Sequence, residues 1–151
     1  MLAATIAVAV VIGAGLLAGA LFAVEKAVVP YFASLPAGRY VPTLTFLDSR
    51  FDPFMPWLAR VKALLTVAAI VAASSTASQV LFGAGLLCTI GVGIVSESVN
   101  VVLNRRIRAW DPGHPPPNWE AVRRRWAWGN RLRFALAVVG LALDSAAATV
   151  L

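Results

Sequence analysis

The amino-acid sequence predicts an all-α integral membrane protein: a bundle of four transmembrane helices with an interfacial helical extension before the last span. Three observations carry this expectation. Of the 151 residues, 60% are hydrophobic and only 13% charged, which is too apolar for a soluble domain of this size. Four apolar runs are each long enough to cross a bilayer. All thirteen Lys and Arg residues fall on two connections or on the helix ends beside them. The net charge of +6 therefore reads as membrane topology and headgroup contact, with no nucleic-acid partner.

The chain reads as a single membrane domain over residues 1–151. Residues 1–24 carry no charge and as a helix reach about 36 Å, so the first span covers about 2–24. The apolar start lacks a basic leader, so this helix is expected to be retained. Its Gly15-x-x-x-Gly19 spacing suits close helix packing, either within the chain or in a homo-oligomer. Glu25 and Lys26 mark the end of the span, and Pro30 is expected to end or kink the helix. The connection 25–56 mixes prolines and Gly38 with Arg39, Asp48, Arg50 and Asp52, yet contains Leu44, Phe46, Leu47, Phe51, Phe54 and Met55. It is too apolar for a free linker and reads as an interfacial anchor or a lid over the bundle mouth.

The second span covers about 57–79, with Arg60 and Lys62 snorkelling to its charged end and the polar stretch from Ala73 to Gln79 forming a tight turn. A third span, about 80–103, carries Glu97 and Asn100 near its end. A connection over 104–132 leads to the last span, about 133–151. By the positive-inside rule both large connections are cytoplasmic and both termini lie outside.

The chemistry concentrates between Glu97 and Asp144. Arg105-Arg106-Ile107-Arg108 reads as an orientation signal, Asp111-Pro112-Gly113 and Pro115-Pro116-Pro117 as a rigid turn, and Asn118 as the cap of a helix starting at Trp119. Glu120 is placed to pair with Arg123 or Arg124. Trp119, Arg123, Trp126, Asn130 and Arg133 recur at steps of four and three, and the same stripe continues through Ala137 and Gly140 to Asp144. Gly93, Glu97, Asn100 and Asn104 line one face of the preceding helix by the same spacing.

Two polar faces so close in sequence suit one pocket, in which indole and guanidinium hold a flat phenolic or anionic ligand; the plainer alternative is a Trp/Arg interfacial belt. Asp144 is either an intramembrane acid or, if the last helix stops early, a wet one. Glu97, in a desolvated cluster with Asn100 and Asn104, suits a general base.

The single Cys88 excludes intrachain disulfide chemistry, and the single His114, in a proline-rich loop, excludes a multi-histidine haem or copper site within one chain. No Ser-His-Asp, phosphate-binding-loop or zinc pattern is present.

These landmarks resemble the anthrone oxygenase-like family of small four-helix membrane proteins, many described only as a domain of unknown function. The resemblance rests on the glycine-rich first helix followed by Val29-Pro30, Leu35-Pro36, Leu47-Asp48 and Met55-Pro56, then on Asn100-Val101-Val102-Leu103-Asn104. Its strongest part is Pro117-Asn118-Trp119-Glu120 with Arg123, Arg125-Trp126, Asn130 and Arg133. The chain departs from the family where Val102 replaces a frequent proline and where no histidine lies near Asn130.

The resemblance implies a membrane-embedded monooxygenase that converts a hydrophobic, anthrone-like aromatic polyketide to its quinone in secondary metabolism. O₂ would be the co-substrate, with no metal, haem or flavin expected. It further implies Glu97 or Glu25 as base and Arg133, with Asn130 and Asn100, at the enolate oxygen. Trp119 and Trp126 would stack on the rings, with Asn104, Arg123 and Asp144 completing the binding face. Two alternatives stand beside it: a non-enzymatic accessory or small-molecule-binding membrane protein, and a metal-assisted oxygenase with His114, Glu97 or Asp144 as ligands.

Overall fold

The structure, a computed structural model, describes residues 1–51 and 53–151; Asp52, assigned above to the first connection, lies outside them. It consists of α1 (Leu2–Ser34), α2 (Ala37–Phe51), α3 (Met55–Ala72), α4 (Thr76–Arg108) and α5 (Trp119–Thr149), with no strand among the described residues. Four stretches, Leu2–Ser34, Ala37–Ala72, Thr76–Arg108 and Trp119–Thr149, are long and apolar enough to cross a membrane. The helices α1, α3, α4 and α5 form an up-and-down ring in which α3 packs between α1 and α4, and α5 closes the ring against α4 and α1. The termini and the turn at Ala73–Ser75 share one end, packed around Ala7, Val10, Ala69, Phe82 and Ala147. At the opposite end, α2 folds over the bundle and packs with Phe32, Leu35, Leu103, Ile107, Val122 and Trp126.

Several sequence expectations change at the helix ends. The first helix neither stops at Glu25 nor breaks at Pro30. A π turn spans Val24–Val28, with the Val29 N–H reaching the Val24 carbonyl, and the helix then resumes to Ser34. Pro30 sits in the first turn of the resumed helix, where its fixed φ and missing donor are tolerated. The break comes at Leu35, whose ψ of 139° is the extended conformation favoured before Pro36.

The polar turn is also shorter than the run from Ala73 to Gln79. Ser75 Oγ accepts the Ser78 N–H at 3.4 Å, and Gln79 Nε2 donates to the Ala73 carbonyl at 2.9 Å, so α4 already begins at Thr76. Asn118 occupies the N-cap position of α5 but makes no side-chain capping bond.

The larger correction concerns Lys62, which does not snorkel to the charged end. Its side chain is 1% exposed, with Nζ 2.8 Å from Asp144 Oδ2, 2.7 Å from Thr89 Oγ1 and 3.4 Å from the Gly85 carbonyl. Asp144 is fully buried, on an α5 that continues unbroken for 31 residues. The pair is buried between apolar helices, midway along α3, where an unpaired carboxylate would be far costlier than an extended lysine. Two glycines make room for it. The Lys62 stem passes 3.2 Å from where a Cβ on Gly13 would stand, and the Asp144 carboxylate occupies the space of a Cβ on Gly85.

Replacing either partner alone, Lys62→Ala or Asp144→Ala, is expected to destabilise the fold by about 3–5 kcal/mol, because the other charge stays buried without compensation. The neutral pair Lys62→Met/Asp144→Asn should recover most of that loss. Thermal unfolding in neutral detergent checks both, and a double-variant loss equal to the sum of the two single losses would show that the pair is not coupled.

Candidate functional site

Beneath α2 the bundle leaves a cavity of about 280 Å³, close to the smallest sites that hold organic ligands, about 300 Å³. Its walls are mostly apolar, with Leu17 and Leu21 from α1, Leu44, Leu47 and Phe51 from α2, Met55 from α3 and Val92 from α4. Six polar side chains interrupt them: Asp48, Arg60, Ser96, Glu97, Asn104 and Arg133. The α2 contribution follows from its sequence, because Leu44, Leu47, Asp48 and Phe51 recur at helical spacing and turn one stripe inward. A second, polar space of about 380 Å³ adjoins the cavity, sharing Asp48, Pro56, Arg60, Glu97, Val101 and Asn104 and adding Trp57, Arg105 and Arg108.

The face of α4 differs from the expected one because Ser96–Asn100 form a π turn. The extra residue in that turn changes the register. Gly93, Ser96, Glu97, Val101 and Asn104 line the cavity, while Asn100 does not. Asn100 is buried against α5, where its Nδ2 donates to the Trp126 carbonyl at 3.0 Å. Its Oδ1 stands 2.5 Å from where a Cβ on Gly129 would be, so position 129 has room only for glycine unless Asn100 moves.

Hydrogen bonds tie these helices together in two chains. In the first, Trp126 Nε1 donates to Asn104 Oδ1 at 2.7 Å, Asn104 Nδ2 donates to Asp48 Oδ1 at 2.5 Å, and Asp48 Oδ2 pairs with Arg108 at 2.8 Å. This joins α5 and α4 to the covering helix α2. In the second, the fully buried Asn130 donates from Nδ2 to Glu25 Oε2 at 2.9 Å and accepts at Oδ1 from Arg133 Nη2 at 3.2 Å. Glu25, in the π turn of α1, also accepts from Arg131 Nε at 3.0 Å.

Arg133 Nη1 donates to Ser96 Oγ at 3.3 Å, while its buried Nε–H has no acceptor among the described residues. No described carboxylate forms an ion pair with Arg133, which leaves a half-buried cation on the cavity wall with donor capacity to spare.

The structure thus brings Glu97, Arg133, Asn104 and Trp126 together around the cavity. Glu25, Asn100 and Asn130 are not part of its lining, and they hold the helices that carry those residues. Trp119 and Arg123 lie farther out. Arg123 sits over the Trp119 ring, 4.7 Å from its centroid, but spends its donors on the Phe32 and Leu35 carbonyls at 3.0 Å each, closing the end of α1. Asp144 is engaged with Lys62 in the bundle centre. The residues proposed for a metal occupy three separate places: Glu97 at the cavity, Asp144 in the core, and His114 exposed beside Asp111 at 2.9 Å. Among the described residues no three His, Cys, Asp or Glu side chains converge. The His114 hydrogen bond and the Gly113 N–H hold the Asp111 carboxyl below its usual range.

The sequence reading missed Asp48, Arg60 and Ser96 as part of this site. The inward stripe of α2 signals Asp48. Arg60 and Ser96 carry no local signal, since their role depends on the packing of α3 and on the α4 π turn.

A family model described as anthrone oxygenase matches residues 48–143, more than half of the chain. That stretch contains all six polar side chains of the cavity and leaves out Glu25 and Asp144. No curated protein and no solved structure matches the chain at a significant level.

Gly93 offers a clean probe of the cavity, because a Cβ there meets nothing within 4 Å. Gly93→Leu is expected to fill the cavity and abolish binding of a flat aromatic ligand. The unfolding temperature should not fall, since leucine also favours the helix by up to about 1 kcal/mol over glycine. Titration with anthraquinone, followed by tryptophan fluorescence, reads the first effect and thermal unfolding the second.

Proposed function

The chain belongs to the anthrone oxygenase family, and from that membership we propose that it is a membrane-embedded oxygenase. It would convert an anthrone-like aromatic substrate to the quinone by substrate deprotonation and direct reaction with O₂. The observation that carries this reading is Arg133, a guanidinium without a carboxylate partner among the described residues, turned onto a mostly apolar cavity. Such a group favours a ligand that becomes anionic where it lies.

Glu97 lies next in sequence to the Ser96 that holds Arg133, and its carboxylate has no ion-pair or hydrogen-bond partner among the described residues. It is the proposed base. The substrate's rings lie between Leu21, Leu47 and Trp126, with the carbonyl oxygen at Arg133. Glu97 takes a proton from the benzylic CH₂, and the charge spreads to the oxygen as an enolate, stabilised by Arg133. The enolate passes one electron to O₂, the radical pair joins through a C–O bond to give a peroxide anion, and this takes the proton back from Glu97 to become a hydroperoxide. Loss of the second C–H proton with cleavage of the O–O bond leaves a C=O on the ring and releases water. One oxygen atom enters the product, and all electrons come from the substrate. Asn130 acts through Arg133 as a positioning residue, with Glu25 and Arg131 holding its other end.

O₂ uptake by purified protein given a hydroxylated anthrone, after subtraction of the spontaneous rate, tests this directly. One O₂ should be consumed per quinone formed. Arg133→Ala is expected to lower kcat by about 100-fold or more, the usual loss for an oxyanion donor. Glu97→Gln should lower it by a similar factor while unfolding at the wild-type temperature. Arg133→Ala, which leaves the buried Asn130 Oδ1 without its donor, should unfold somewhat lower but remain folded at the assay temperature. Uptake no faster than the spontaneous reaction, from folded protein, would reject the oxygenase reading.

The same reading places the protein across a bilayer as a multi-pass protein, with α2 and the 109–118 segment in the cytoplasm and both termini outside. In a Cys88→Ser background, a single cysteine at Ser74 should react with an impermeant maleimide on intact cells. One at Gly113 should react only after permeabilisation, and the reverse pattern would invert the orientation.

A further inference from the structure

Building on the oxygenase reading, we propose that the polar space outside the cavity is an anion-binding site formed by Arg60 and Arg105. It would take an acidic substituent on the substrate's ring system, so the preferred substrate is an aromatic acid and not a neutral anthrone.

The cavity and the outer space share six residues, Arg60 among them, so a flat molecule seated in the first extends naturally into the second. Of the charges around the outer space, Asp48 and Arg108 are paired with each other at 2.8 Å. Arg60, from α3, and Arg105, from α4, form no ion pair with any described residue. Glu97 stands at the boundary, where the proposed mechanism uses it as the base. The arrangement therefore places cations at both ends, with Arg133 on the inner wall, the two arginines at the mouth, and Glu97 among mostly apolar walls between them.

A planar molecule that develops an oxyanion at one end and carries a carboxylate at the other matches this pattern of charge. Guanidinium groups bind carboxylates through paired, charge-assisted hydrogen bonds. A lipid phosphate offers the same chemistry at the same depth. The continuity of the space with the cavity, through six shared residues, favours the substrate's own acid.

Anthraquinone-2-carboxylate and anthraquinone, which resemble the product and do not turn over, separate these cases. Both are titrated by tryptophan fluorescence in neutral detergent. Wild type is expected to bind the acid at least about tenfold more tightly than the neutral quinone, with the preference falling as salt is raised. Arg60→Gln/Arg105→Gln should bind the two ligands equally, while Arg60→Lys/Arg105→Lys should retain part of the preference; an unchanged unfolding temperature shows that both double variants are folded.

Equal binding by wild type, or a preference that survives in the Gln variant, overturns the proposal and leaves the oxygenase reading standing. Failure of wild type to bind either quinone removes the cavity as a ring site and both readings with it. In nanodiscs the preference should persist when phosphatidylglycerol replaces a fifth of the phosphatidylcholine. Its loss there would assign the arginines to lipid phosphate and overturn the proposal.

Discussion

One helix sets the terms for the rest of this bundle. Along α5, four groups that apolar surroundings do not satisfy are turned inward: the Trp126 indole N–H, Asn130, Arg133 and Asp144. Each buried polar group needs a partner, and other helices supply most of them. Asn104 of α4 takes the Trp126 indole, Glu25 of α1 takes Asn130, Ser96 of α4 takes one arm of Arg133, and Lys62 of α3 takes Asp144. The arrangement of the four long helices is thus specified by polar pairing as well as by shape. This matters in a chain whose apolar faces pack against lipid nearly as well as against each other. Arg133 alone among these groups keeps a buried donor without an acceptor among the described residues, and it does so at the wall of a cavity.

The two π turns turn that pairing into a site. One carries Glu25 at the level of Asn130, and the other directs Asn100 to α5 while leaving Ser96 and Glu97 at the cavity. A regular helix repeats every 3.6 residues and cannot place Glu97 on the cavity, Asn100 on α5 and Asn104 back on the cavity within two turns as readily as one with an inserted residue. The insertion separates a residue that clamps helices from residues that face the cavity. The covering helix α2 completes the enclosure, and the Asp48–Asn104–Trp126 chain fixes it in place.

Much of this was legible in the sequence. The four apolar runs gave the helices, the arginine distribution gave the end at which polar chemistry gathers, and the stripe from Trp126 to Asp144 proved to be the buried face of one unbroken helix. What was not legible depended on geometry that spacing does not encode. A π turn has no sequence signature, so Asn100 was grouped with Glu97 and Asn104, and Pro30 was expected to break a helix that absorbs it. Lys62 looked like a snorkelling residue because its partner lies 82 positions away in the chain. Arg123 and Trp119 do stack as their spacing suggested, but at the end of α1 and away from the cavity.

The central claim is that this cavity stabilises an enolate before oxygen reacts. The most direct measurement is the absorption spectrum of a bound anthrone under strictly anaerobic conditions, at a pH where the free compound stays in its keto form. The account predicts that wild-type protein converts the bound anthrone to its anion, seen as a long-wavelength band, and that Arg133→Ala binds it without the band. An anthrone that binds wild type as the keto form, or that ionises equally well in Arg133→Ala, would contradict it.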